Sequence, residues 1–170
     1  MGSLTPSRRS GASARVAGFT LVEIMVALAI VAIASGAAWL AWRGGDASLH
    51  REATRFAGAV EYAAQRAQWR HEDLGVSADG GGWRFWRRDP ERAAWAPLAD
   101  DDALAARTLP GGMRLDSAAL AGRPVARDAV VPLRASGRND PATFVLALGE
   151  MRMRIDTDPL NRVAVTRDTP

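Results

Sequence analysis

Cysteine is absent from this chain of 170 residues, and so is lysine. Without thiols there is no disulfide framework, no thiolate metal site and no cysteine nucleophile. Histidine occurs only at His50 and His71, too little for a histidine-rich metal centre. No serine stands in a Gly-x-Ser-x-Gly elbow. Asp100-Asp101-Asp102 lacks the Asp-x-Asp-x-Asp-Gly spacing of a calcium loop and reads as a helix cap or a solvated loop. No catalytic residue, metal site or cofactor is expected.

A strong charge of one sign is also missing from most of the chain. All 22 basic residues are arginine, against 19 acidic ones, giving a net charge of +3. Arg8, Arg9 and Arg15 are the only charged side chains before Glu23, so residues 19–170 hold equal numbers of Arg and Asp/Glu. The surplus is a feature of the amino terminus. It supplies no basic field on the rest of the chain for a phosphate backbone.

Proline is missing between Ser7 and Asp89, which permits one very long helix from Phe19 to about Arg70. Residues 1–18 are small, polar and basic, without periodicity. From Phe19 to Trp42 the chain is almost wholly apolar, with Glu23 its one charge. As a helix, 19–42 would extend roughly 36 Å, enough for a hydrocarbon core of about 30 Å. Trp39 and Trp42 fall where an interfacial aromatic belt would lie, and the three leading arginines orient the amino terminus to the cytoplasm. Cleavage at Ala32-Ile33-Ala34 by a signal peptidase fits less well, because the apolar run continues past it. A plain anchor leaves Glu23 without a reason, since a carboxylate in a span costs about 2.5–3.5 kcal/mol at its centre and marks a function.

Beyond the apolar run, Leu49, Phe56, Val60, Ala63 and Ala67 form one helical stripe, while Glu52, Arg55, Glu61, Arg66 and Arg70 are placed largely off it. Glu52 and Arg55 are spaced to pair. Gly44-Gly45 is the expected weak point, a kink or flexible joint. After Gly75 the pattern becomes short strands and turns. Strands are expected at Trp83–Arg87, Val130–Arg134, Thr143–Leu148, Met151–Ile155 and Arg162–Thr166, with turns at Gly80–Gly82, Gly149-Glu150 and Asp158–Asn161. A short helix is expected at Asp102–Arg107 with an Asp as its cap. The fold class is therefore α+β, a long N-terminal helix on an antiparallel head. Its divisions are 1–18, 19–42, 43–72 and 73–170.

Gly18-Phe19-Thr20-Leu21-Val22-Glu23 resembles the type IV prepilin signal, followed as in that family by about twenty apolar residues. The resemblance implies cleavage by a prepilin peptidase between Gly18 and Phe19, N-methylation of Phe19, and a pilin-like fold. It also implies a role for Glu23 in filament assembly, pairing with the new N-terminal ammonium of a neighbouring subunit. Charges that are each costly in lipid make such pairing a device for register.

The head is similar to one branch, the H-type minor pseudopilins of the GspH/FimT family. The similarity rests on the Ala-rich helix at Phe56–Gln68 and on Gly82-Trp83-Arg84-Phe85. It continues through Trp95-Ala96-Pro97-Leu98 with Asp102 and Leu104, then Leu109-Pro110-Gly111-Gly112, Pro132–Gly137 and Phe144–Leu148. These motifs read as aromatic core and turns. The branch implies a structural subunit near the tip of the periplasmic pseudopilus of type II secretion. It would start in the inner membrane with its head in the periplasm. Its partners would be the peptidase, the other minor pseudopilins, the major pseudopilin, the inner-membrane assembly platform and the membrane. The alternative is a FimT-like minor pilin of a type IV pilus, acting in pilus assembly or DNA uptake. The balanced head charge and the absence of a Gly-Arg-x-Arg motif around Asn161-Arg162-Val163-Ala164 place that reading second. A cluster formed from Arg134, Arg138, Arg152 and Arg154 would favour it.

Overall fold

The computed structural model of the protein describes residues 21–168, with the side chains of 37–43 excepted. Helix α1 runs Leu21–Arg70. Ten strands follow: β1 Leu74–Ala78, β2 Gly82–Asp89, β3 Ala94–Pro97, β4 Arg107–Thr108, β5 Met113–Leu120, β6 Arg123–Pro124, β7 Val131–Leu133, β8 Ala142–Leu148, β9 Met151–Thr157 and β10 Val163–Arg167. Between Leu40 and Ala41 the chain divides into two compact units, and the unit from Ala41 onward holds every strand.

In the first unit, Leu21 to Gly36 have exposed side chains, and only Glu23 and Ser35 among them are polar. Among the described residues no helix is long and apolar enough to cross a membrane. The expected span at 19–42 lies partly outside these residues. Phe19, Thr20 and the side chains of 37–43, with Trp39, Trp42 and Arg43, lie outside the description, as does the 1–18 leader.

In the second unit, α1 closes with two capping hydrogen bonds to its last-turn carbonyls. Glu72 donates its N–H to the Ala67 carbonyl, and His71 donates to Gln68. His71 takes the left-handed conformation (φ 53°) that such a cap requires. Arg70 stands in the last turn, where a cation complements the helix dipole. The helix passes through Gly44-Gly45 without interruption, so the expected joint is not a break. A Cβ at Gly45 would lie 2.9 Å from Met151 Cε, the movable end of a flexible side chain on β9.

The strands form two antiparallel sheets. One has the order β3-β2-β1-β7, with β4 also on β2; the other has the order β10-β9-β8-β5-β6. All five strands expected from the sequence are present, with ends shifted by a few residues. Strands β1, β3 and β5 escaped the pattern for separate reasons. In β1, residues Leu74 to Ser77 are buried on both faces, so no polar alternation exists. In β5 a bulge between Leu115 and Ser117 shifts the alternation midway. Strand β3 is only four residues, with Pro97 at its edge-strand end. The short helix narrows to a 3-10 turn, Asp102–Leu104, whose N-cap Asp101 accepts the Ala103 N–H.

The stripe on α1 is the spine of the core. Leu49, Phe56, Val60, Ala63 and Ala67 are all buried. Leu74, Val76, Trp83 and Phe85 face it from the first sheet, and Leu115, Phe144, Leu146 and Ile155 from the second. Phe56 touches both. Its ring centroid lies 5.0 Å from Trp83 and 5.0 Å from Phe144, the latter edge-on at 84°. Burial of such rings dominates core energetics, and tilted or edge-on contacts add to it.

Candidate functional site

The exposed part of α1 presents Leu21, Ile24, Met25, Leu28, Val31 and Ile33, each about half or more exposed. Apolar residues surround this segment, so its pattern is that of a helix covered on all sides by lipid or protein. Glu23 lies in its first turn, where the helix dipole favours an anion. Gly18 and Phe19, the expected cleavage and methylation positions, lie outside the described residues.

Within the head unit, polar side chains bind α1 to both sheets. Glu52 is 4% exposed and accepts from Arg107 of β4 and, at 3.1 Å, from Arg55. The expected Glu52–Arg55 pair is present, but Glu52 sits within the buried stripe rather than off it. Glu61 accepts the backbone N–H of Val163 at 2.9 Å, which satisfies an edge donor of β10. Asp46 pairs with Arg167 of the same strand.

Arg66, also expected off the stripe, is 3% exposed. Its guanidinium donates to Glu72 Oε1 at 2.8 Å, Asp101 Oδ2 at 2.7 Å and both oxygens of Asp100 at 3.0 and 3.1 Å. Tyr62 donates to Asp101, and Arg87 to Asp100. Burial pushes the Arg66 pKa down, but the bonds to Glu72, Asp101 and Asp100 outweigh it and raise the value. The bond from Arg66 holds Asp100 below the usual carboxylate range. Burial pushes Asp101 up, and its bonds from Arg66, Ala103 and Tyr62 bring it below that range. Asp100 and Asp101 are thus committed to an arginine and a helix cap. Among the described residues no group of acids and histidines could hold a metal ion.

The head motifs serve the architecture. Trp83, Phe85, Leu98, Leu104 and Leu109 are buried. A Cβ at Gly82 would lie 2.1 Å from the Arg107 carbonyl oxygen, so β4 can approach β2 only at a glycine. The turn of Gly149-Glu150 joins Leu148 to its partner Met151. Asn139 and Asn161, both buried, bond at 2.6 Å and stitch the loop after β7 to the turn before β10.

Of the four arginines whose clustering would favour a nucleic-acid role, three stand against carboxylates. Arg134 faces Asp140 at 3.9 Å, Arg152 faces Asp116 at 3.5 Å, and Arg154 binds Asp156 at 2.8 Å.

A family model described as "Prokaryotic N-terminal methylation motif" matches residues 13–39, over the apolar helix and its lead-in. A second, "Type II transport protein GspH", matches residues 52–166, from the buried Glu52 to β10. The chain belongs to the GspH family. A GspH-family relative in Escherichia coli (strain K12), Type II secretion system protein H, is 33% identical over 91 residues, covering 51% of this chain and 54% of the relative. The protein of the same name from Aeromonas hydrophila is 28% identical over 103 residues, covering 59% and 56%. The chain thus spans about half the length of these GspH relatives. The crystal structure of the minor pseudopilin EpsH from the type II secretion system of Vibrio cholerae shares the fold. Its TM-score is 0.60 at 16% identity, over 74% of this chain and 97% of that one.

Proposed function

We propose that this chain is a minor pseudopilin of the type II secretion system, a structural, non-catalytic subunit near the tip of the periplasmic pseudopilus. The observation that carries the proposal is the joint one: a methylation-motif segment leading into an exposed apolar helix, followed by a GspH head whose own core is complete. A helix with apolar side chains on every side needs cover by lipid or by other protein. Inner-membrane lipid before assembly and the helices of neighbouring subunits afterwards are the cover proposed.

In this reading a prepilin peptidase cuts between Gly18 and Phe19, and Phe19 becomes the methylated N-terminus. Glu23 is then the fifth residue of the mature chain, one helical turn from the new ammonium. Its carboxylate pairs with the N-terminal ammonium of a neighbouring subunit, which draws the incoming subunit to a fixed axial position. The remaining partners are the other minor pseudopilins, the major pseudopilin and the inner-membrane assembly platform. Deleting the gene and assaying exoprotein release, twitching and DNA uptake tests the role. Loss of release with normal twitching and uptake is expected. Normal release with lost uptake would assign the chain to a type IV pilus instead.

A further inference from the structure

The outer face of the first sheet carries an arrangement that neither the core nor the apolar helix uses. Along β2 the side chains alternate, so Trp83 and Phe85 point into the core while Arg84, Trp86 and Arg88 point out. On neighbouring β3, Trp95 is the cross-strand partner of Arg88, and Pro97 that of Trp86. The Arg84 guanidinium lies 5.6 Å from the centre of the Trp86 ring, and that of Arg88 lies 5.7 Å from Trp95.

Both rings are held in place. The Trp86 indole N–H donates to Ser77 Oγ of β1 at 2.8 Å. Trp95 lies over Gly75, where a Cβ would come within 3.2 Å of its Cη2 and 2.4 Å of Val130 Cγ1. The two arginines, by contrast, are exposed, and among the described residues neither makes an ion pair. Their neighbours are spent elsewhere: Arg87 is directed to Asp100, and Asp89 to Arg92.

We propose that this face docks an acidic, extended segment of a partner protein. A guanidinium stacked on an indole keeps its N–H edge free, and that edge matches a carboxylate. Arg84 and Arg88 are four residues apart on one strand, about 13 Å. That is the spacing of two carboxylates at i and i+4 in an extended chain, with an apolar side chain at i+2 set over the exposed Pro97. Single-stranded nucleic acid fits the face less well. Bases stack on open aromatic faces, and here each ring already carries an arginine. The balanced head adds no further field for phosphates. The proposal holds whichever filament the chain serves.

The test uses the full chain in detergent and fluorescence anisotropy of labelled probes. One is a short peptide with Asp at i and i+4 and Leu at i+2, one its Asn counterpart, and one an oligothymidylate of similar length. The Asp peptide should bind, and binding should fall about tenfold or more in R84Q/R88Q and weaken with salt. R123Q, on β6 of the other sheet, should leave it unchanged. R84E/R88E should lose the Asp peptide and bind a Lys counterpart, which keeps the test decisive if the glutamine variant loosens the sheet. Equal binding of the Asp and Asn peptides, no binding of either, or preferential binding of the oligothymidylate would overturn the proposal.

Discussion

Arg66 and Glu52 are charged residues in the middle of an apolar stripe, and each is explained by a partner distant in sequence. Removing one member of a buried ion network strands the others, at about 3–5 kcal/mol. Asp100 is half exposed, which puts Arg66→Ala at the lower end, about 3 kcal/mol. Urea unfolding followed by tryptophan fluorescence should show this, while Arg92→Ala, at an exposed pair, should shift stability by less than about 0.5 kcal/mol. Acid should act on the same network. Asp100 and Asp101, together with Asp156 bound by Arg154 and Thr143, have folded values below the usual 3.8. Their contribution is present above that pH and is lost as pH falls below it toward their folded values. The unfolding midpoint should therefore be flat near neutrality and drop below about pH 4, and it should drop less in Arg66→Ala. Neither buried charge was read from the sequence, although spacing held the signal. Glu52 is three residues after Leu49 and four before Phe56, and Arg66 is three after Ala63. A charge on a stripe is ordinarily solvated, and the arginine and aspartates that reverse this lie 34 to 55 positions away.

At the scale of elements, the strands that alternate were legible and those that do not were not. Buried Met153 and Ile155 alternate with exposed Arg152 and Arg154, and their strand could be placed from the sequence alone. Strand β1 has two covered faces because Trp86, Trp95 and Val130 roof its outer side, a fact of tertiary packing invisible along the chain. Phe56 is the element-scale test, because it joins α1 to both sheets. Phe56→Ala should cost about 3–5 kcal/mol, and the near-ultraviolet circular dichroism of Trp83 should change with it. Gly82→Ala sets a Cβ against a backbone carbonyl that cannot turn away. It should separate β4 from β2, and faster amide exchange at Arg107 and Thr108 would report this.

For the whole molecule, two variants separate folding from assembly. Glu23→Ala should leave the head's stability unchanged, since Glu23 lies outside the unit that holds the core. It should abolish incorporation into the filament, measured by crosslinking to neighbouring subunits. Expressed with a prepilin peptidase, the chain should lose residues 1–18 and gain a methyl group by intact mass, whereas Gly18→Val should retain the leader. The placing of Glu61 against Val163, 102 positions later, also has a kinetic consequence. The helix is synthesised first, and the last strand that covers it arrives after about a hundred further residues. At about 5–20 residues per second this takes roughly 5–20 s. Until β8 to β10 emerge, Leu49, Phe56 and Val60 lack a complete second sheet over them, so the nascent chain is most prone to aggregation in that interval.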